Sequence, residues 1–212
     1  MRSADTITIL RVIIAIALVY GVLAYFNPYV ITFGIILITF MDALDGMFAI
    51  REVSNGKIGF SDYVRAEVFG DQKLRKLVRL YKDKIKDTAP HGARFDIAGD
   101  RAVEYLFWLV YTYLNLVPFF VFVIVIIRHS FVDALMGAKG TSSKMKTRFA
   151  RVVYSSNFGR AFVNLPKILA FSYLAFVYVY GWPLWIGYIF VAILVINILL
   201  RGIAEVYESF AA

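Results

Sequence analysis

Apolar residues run along this chain in long unbroken stretches, and polar residues collect between them. Residues 12–41, 105–127 and 168–200 contain no Asp, Glu, Lys or Arg. About 20 apolar residues span the hydrocarbon core of a bilayer as a helix, so runs of this length predict membrane-embedded helices. Divided at its turn signals, the pattern predicts six of them, near 7–26, 29–50, 94–113, 117–137, 161–180 and 184–206. Asn27-Pro28 ends the first, because proline and the residue before it resist helix. Asn115 with Pro118 marks the turn into the fourth, and Gly181-Trp182-Pro183 the turn into the sixth. The expected fold class is an all-α integral membrane protein with six transmembrane helices, a single domain over 1–212. The first apolar segment reads as a retained helix and not a signal peptide, because Arg11 lies just inside its start and a second apolar segment follows.

Composition agrees. Hydrophobic residues make up 60% of the chain and charged ones 18%, against about half and about a quarter in soluble domains. The cations add orientation. The connection 51–94 holds eleven Lys/Arg and 128–167 holds eight, while the turns at 27–28, 114–118 and 181–183 hold none. The positive-inside rule then puts both long loops and both termini in the cytoplasm. The net charge of +8 is thus a topology signal; the cations flank spans without a recognition motif, and no nucleic-acid partner is expected. Without cysteine there is no disulfide framework.

Residues 52–91 form a cytoplasmic insertion. Asn55-Gly56 suggests a tight turn, and 72–86 places Leu74, Leu77, Val78, Tyr81 and Ile85 on one helical face with Lys and Arg elsewhere. Such a helix either lies on an anionic lipid surface or packs on a neighbouring element.

The candidate chemistry lies at the ends of two oily helices. In FMDALDGMFAIR (40–51), Asp42 and Asp45 share a face, with Gly46 and Ala49 following on it. In GARFDIAGD (92–100), Gly92, Asp96 and Asp100 are spaced by four. Asp42 precedes Arg51 by nine residues and Asp100 follows Arg94 by six, so both lie on the order of 10 Å below the interface at about 1.5 Å per residue. Four carboxylates at one depth cannot all ionise in an apolar setting unless cations hold them. Either Arg51, Arg94 and Arg101 pair with some of them, or hard divalent metals take them as oxygen ligands, two ions sharing the set. Magnesium commonly completes its shell with substrate phosphates, which points to a phosphate or pyrophosphate substrate.

These residues resemble the signature of the CDP-alcohol phosphotransferase family, D-x2-D-G-x2-A-R-x8-G-x3-D-x3-D. Asp42, Asp45, Gly46, Ala49, Gly92, Asp96 and Asp100 fall on it in order. TITILRV (6–12) is similar to the Thr-x-x-Arg that often opens the family's first helix. There are two departures: Ile50 stands where the arginine belongs, with Arg51 one residue late, and the eight-residue link has become forty (52–91). The resemblance implies a membrane enzyme that transfers a phosphatidyl-type group from a CDP-linked lipid to a polar alcohol and releases CMP, in phospholipid biosynthesis. It implies Mg2+ or Mn2+, two ions per site, held by Asp42, Asp45, Asp96 and Asp100. Asp100 would be the general base. Asp45, Gly46, Ala49, Arg51 and Gly92 would bind the nucleotide. The family also implies a homodimer.

Arg128 and the cations of SKMKT and its neighbourhood, Lys144, Lys146, Arg148 and Arg151, would bind a phosphorylated acceptor. SKMKT is similar to the Lys-x-Lys-Thr of glycerophosphate-using members, whereas Asp100-Arg101 followed by Glu104 is more like inositol-phosphate users. His91 and His129, the only histidines, read as interface residues and not catalysts. The alternatives are a membrane prenyltransferase acting on a prenyl diphosphate, which the tight Asp-x2-Asp-Gly-x2-Ala does not suit, and a divalent-cation transporter. The transporter reading lacks the internal repeat such folds often carry.

Overall fold

A computed structural model describes residues 3–67, 71–88, 91–136, 147 and 157–210, and among these every regular element is a helix. In chain order they are α1 (Ser3–Leu23), α2 (Pro28–Val53), α3 (Phe60–Glu67), α4 (Gln72–Thr88), α5 (Gly92–Tyr113), α6 (Phe119–Met136), α7 (Asn157–Tyr180) and α8 (Leu184–Phe210). The six helices predicted from the apolar runs correspond to α1, α2, α5, α6, α7 and α8. Three stretches, Ala4–Leu23, Pro28–Val53 and Leu184–Phe210, are long and apolar enough to cross a membrane.

The turns form where the sequence signals them. Asn27 caps α2 by accepting a hydrogen bond from the Tyr29 amide at 3.0 Å, with Pro28 in the first helical position, where a missing N–H costs nothing. After α2, Asn55 takes a left-handed conformation (φ 50°), and the Gly56 amide reaches back to the Arg51 carbonyl at 3.0 Å. Asn115 repeats the motif after α5 (φ 58°), with the Leu116 amide on the Tyr111 carbonyl at 2.9 Å. Both endings satisfy carbonyls that the last helical turn leaves open.

Helix α1 lies against α2 and α5, α2 against α7, α7 against α8, and α8 against α6. At the centre is Phe171 of α7. The Phe107 ring stacks on it at 5.2 Å, Trp108 meets it edge-on at 5.2 Å, and the Tyr111 hydroxyl donates to its backbone carbonyl at 2.6 Å. Aromatic contacts of these geometries hold α5 and α7 in one register.

Where α1 crosses its neighbours, glycines remove the side chains that would keep the helices apart, the usual device of helices packed in lipid. A Cβ on Gly34 would come 2.5 Å from the Leu18 side chain, and one on Gly99 would overlap the Thr8 methyl group. The contact between Gly99 and Thr8 sets how closely α1 and α5 approach.

The insertion folds into α3 and α4, which pack on each other, and α4 packs on α2. Ile50, Ile58, Ala66 and Val78 form a small buried core between them, with Leu74, Tyr81 and Ile85 around it. The apolar face predicted for 72–86 is therefore covered mainly by protein, although Leu77 faces outward. The Asp71 carboxylate starts α4 by accepting from the amides of Lys73 (3.0 Å) and Leu74 (3.2 Å).

Gly99→Ala should lower stability by about 1–3 kcal/mol, the cost of overpacking a close contact. Thermal unfolding of the purified protein checks this. Adding Thr8→Ser, which removes the opposing methyl but keeps the hydroxyl that bonds the Ala4 carbonyl, should recover most of the loss.

Candidate metal centre and its cavity

The i, i+3 spacing of Asp42 and Asp45 on α2 and the i, i+4 spacing of Asp96 and Asp100 on α5 turn all four carboxylates toward α1. There they meet Arg11, whose side chain is 4% exposed. Its Nη1 lies 2.9 Å from Asp42 Oδ1, 3.0 Å from Asp45 Oδ2 and 3.5 Å from Asp96 Oδ1, while Nη2 bonds Asp100 Oδ1. Thr8, almost one turn earlier on α1, rests on Gly99, the residue before Asp100. The close helix crossing is thus what delivers Arg11 to the acidic cluster.

Arg51, Arg94 and Arg101, the cations expected to compete for these carboxylates, are elsewhere. Arg51 and Arg94 are exposed, and Arg101 forms a two-pronged pair with Asp133 on α6 at 2.7 and 2.9 Å. One arginine does not saturate four carboxylates. Asp96 Oδ1 is buried without a hydrogen-bond partner among the described residues. Asp42, Asp96 and Asp100 each offer an oxygen, all within 4.8 Å of one another. An octahedral Mg2+ with bonds of about 2.1 Å spans ligand oxygens roughly 3 to 4 Å apart, so modest closure brings this set to bonding geometry. The all-oxygen donors suit Mg2+ or Mn2+. The residues fit a divalent cation.

Asp42, Asp100 and Arg11 stand at one side of a cavity of about 770 Å3. Ile35, Ile38, Phe107, Phe171, Leu194 and Ile198 give it apolar lining, and Arg101, Arg128, Lys167 and Arg201 add cations. Two of these cations are held by acids, one fully buried and one partly buried. Lys167 Nζ is 2.6 Å from Glu104 Oε2, and Glu104, itself 2% exposed, also accepts from Trp108 Nε1 at 3.3 Å. Arg128 donates to Glu205 at 2.9 Å. Its stem crosses α8 over Gly202, where a Cβ would come within 2.6 Å of Arg128 Nε.

Of the remaining sequence candidates, Gly46 and Ala49 are half-buried on α2 and Gly92 is half-buried at the start of α5; none is part of the cavity lining. Arg51 lines a separate shallow depression with Phe48, Glu52, Asn55 and Gly56. Lys144, Lys146, Arg148 and Arg151 lie outside the described residues. The one described residue of that segment, Thr147, donates from its amide (2.9 Å) and hydroxyl (2.6 Å) to Glu208 on α8. His91 is exposed at the head of α5, whereas His129, expected at the interface, is interior: it lines the cavity with Nε2 4.0 Å from Glu104.

Sequence reasoning missed the central place of Arg11 and the cavity positions of Lys167 and Arg201. Arg11 did carry a signal, as a lone cation before thirty charge-free residues. Lys167 and Arg201 bound the third charge-free run, and nothing in their local spacing joins them.

Arg11→Ala leaves the carboxylates facing one another and should cost about 3–5 kcal/mol, as for other buried pairs broken from one side. The check is thermal unfolding in chelator and in Mg2+: added Mg2+ should stabilise Arg11→Ala more than the wild type.

Comparison with protein-family models, curated proteins and solved structures found no match, so the functional reading rests on these residues and their arrangement.

Proposed function

We propose that this protein is a membrane transferase that moves a phosphatidyl-type group from a CDP-linked lipid to a polar alcohol, releasing CMP. The observation that carries this is the convergence of Asp42, Asp45, Asp96 and Asp100 beside a cavity that also has apolar and cationic walls. A lipid pyrophosphate donor has matching parts: phosphates for a metal-loaded carboxylate cluster and acyl chains for apolar walls. When bound, Mg2+ or Mn2+ held by the four aspartates supplies positive charge that offsets charge on the pyrophosphate.

The protein's own groups do the rest. Asp100, at the cavity wall, accepts the proton of the acceptor hydroxyl on a carboxylate oxygen. The freed oxygen forms a bond to the lipid-linked phosphorus as the bond from that phosphorus to the CMP oxygen breaks. Arg128 and Lys167 bind and orient a phosphate on the acceptor, held in place by the half-buried Glu205 and the buried Glu104 respectively. The resemblance in the sequence supports the same chemistry, and with it six spans, cytoplasmic termini, a site open to the cytoplasm and a homodimer.

The test supplies purified protein with CDP-diacylglycerol and a panel of alcohols and alcohol phosphates, and follows CMP. Release should need Mg2+ or Mn2+, be fastest with a phosphorylated acceptor, and fall about 100- to 10,000-fold in Asp100→Asn. Unchanged turnover in that variant would remove Asp100 from the role of base. Turnover of a prenyl diphosphate in place of the CDP-lipid would replace the donor assignment.

A further inference from the structure

Helix α3 supplies part of the cavity wall from outside the α2–α5 pair. Phe60, Tyr63 and Val64, spaced i, i+3, i+4 on its short length, line the cavity with Asp42 and Met47. The Tyr63 hydroxyl oxygen lies 3.4 Å from where a Cβ on Gly46 would stand. Gly46 is one turn beyond Asp42 and adjacent to Asp45, so Tyr63 faces the backbone that carries the first two carboxylates.

This wall is built into the scaffold. Ile58 and Ala66, on either side of Tyr63, are buried with Ile50 of α2 and Val78 of α4. The Gly59 amide donates to Asp62 at 3.2 Å and fixes the entry to α3. Ile50 occupies the place where the family signature has arginine, and here it anchors the insertion. The two departures from the signature it resembles meet in one place: Ile50 packs in the small core against which Tyr63 of the insertion rests.

We propose that Tyr63 is a donor-binding residue, its ring and hydroxyl meeting the nucleotide end of the donor from the cavity wall beside Asp42. The proposal rests on the donor reading given above. A nucleobase offers a flat π face and a polar edge, and a tyrosine on the cavity wall beside Asp42 can meet both.

The experiment measures equilibrium binding of CDP, with Mn2+ present, to full-length wild type, Tyr63→Phe and Tyr63→Leu, together with donor KM and kcat. Leucine keeps apolar bulk against the small core around Ile50, so a purely structural role for Tyr63 predicts little change. Loss of the ring should weaken CDP binding and raise donor KM about tenfold, with kcat within about twofold, and Tyr63→Phe should keep most of the affinity. Leu80→Ala, on the exposed face of α4, should match the wild type. A folded Tyr63→Leu that binds CDP and donor as the wild type does overturns the proposal. Wild type that releases CMP while Tyr63→Leu is unchanged leaves the donor reading standing. Wild type that neither binds CDP nor releases CMP removes both.

Discussion

A guanidinium buried among four carboxylates needs every partner it has, and the arrangement of α1, α2 and α5 serves that need. Taking one charge out of water costs several kcal/mol, so a cation as buried as Arg11 persists only where anions surround it. Asp42 and Asp45 come from α2, Asp96 and Asp100 from α5, and the glycine contacts at Gly34 and Gly99 let α1 come close enough to both. The balance is uneven. A single positive charge facing four carboxylates leaves a surplus of negative charge and an unsatisfied buried oxygen on Asp96. The cluster that holds the helices together is therefore also one that calls for further cations.

The same logic, with signs exchanged, governs other parts of the cavity wall. Lys167 and Arg128 are held by Glu104 and Glu205, and the burial of Glu104 would be costly without its partner. Between these charged groups lie Ile35, Phe107, Phe171 and Ile198. A cavity with a carboxylate-rich side, cationic groups and apolar lining is what the proposed reaction between a lipid-linked phosphate and a polar partner needs.

Much of this was legible in the sequence because it depends on local spacing. Charge-free runs located six helices to within about four residues, as frayed helix ends allow. The positions of Asp42, Asp45, Asp96 and Asp100 on helical faces foretold that they would meet. What the sequence hid depends on tertiary contact. Arg11 is distant in the chain from the acids it joins, and Lys167 and Arg201 become cavity residues only through the packing of α7 and α8. His129 looked like an interface residue, but α6 turns it inward against Glu104. Ile50 departs from the signature the sequence resembles, and its burial with residues of α3 and α4 appears only in the fold.

Direct titration with Mn2+, followed by the loss of its free-ion paramagnetic resonance signal, tests the central claim without relying on turnover. Purified wild type should bind Mn2+ saturably. Asp42→Asn and Asp96→Asn should each abolish or strongly weaken that binding, and Asp133→Asn, which removes an acid paired with Arg101 outside the cluster, should leave it unchanged. Wild type that binds no Mn2+, or binding that survives both Asp42→Asn and Asp96→Asn, would contradict the assignment of this cluster as a metal centre.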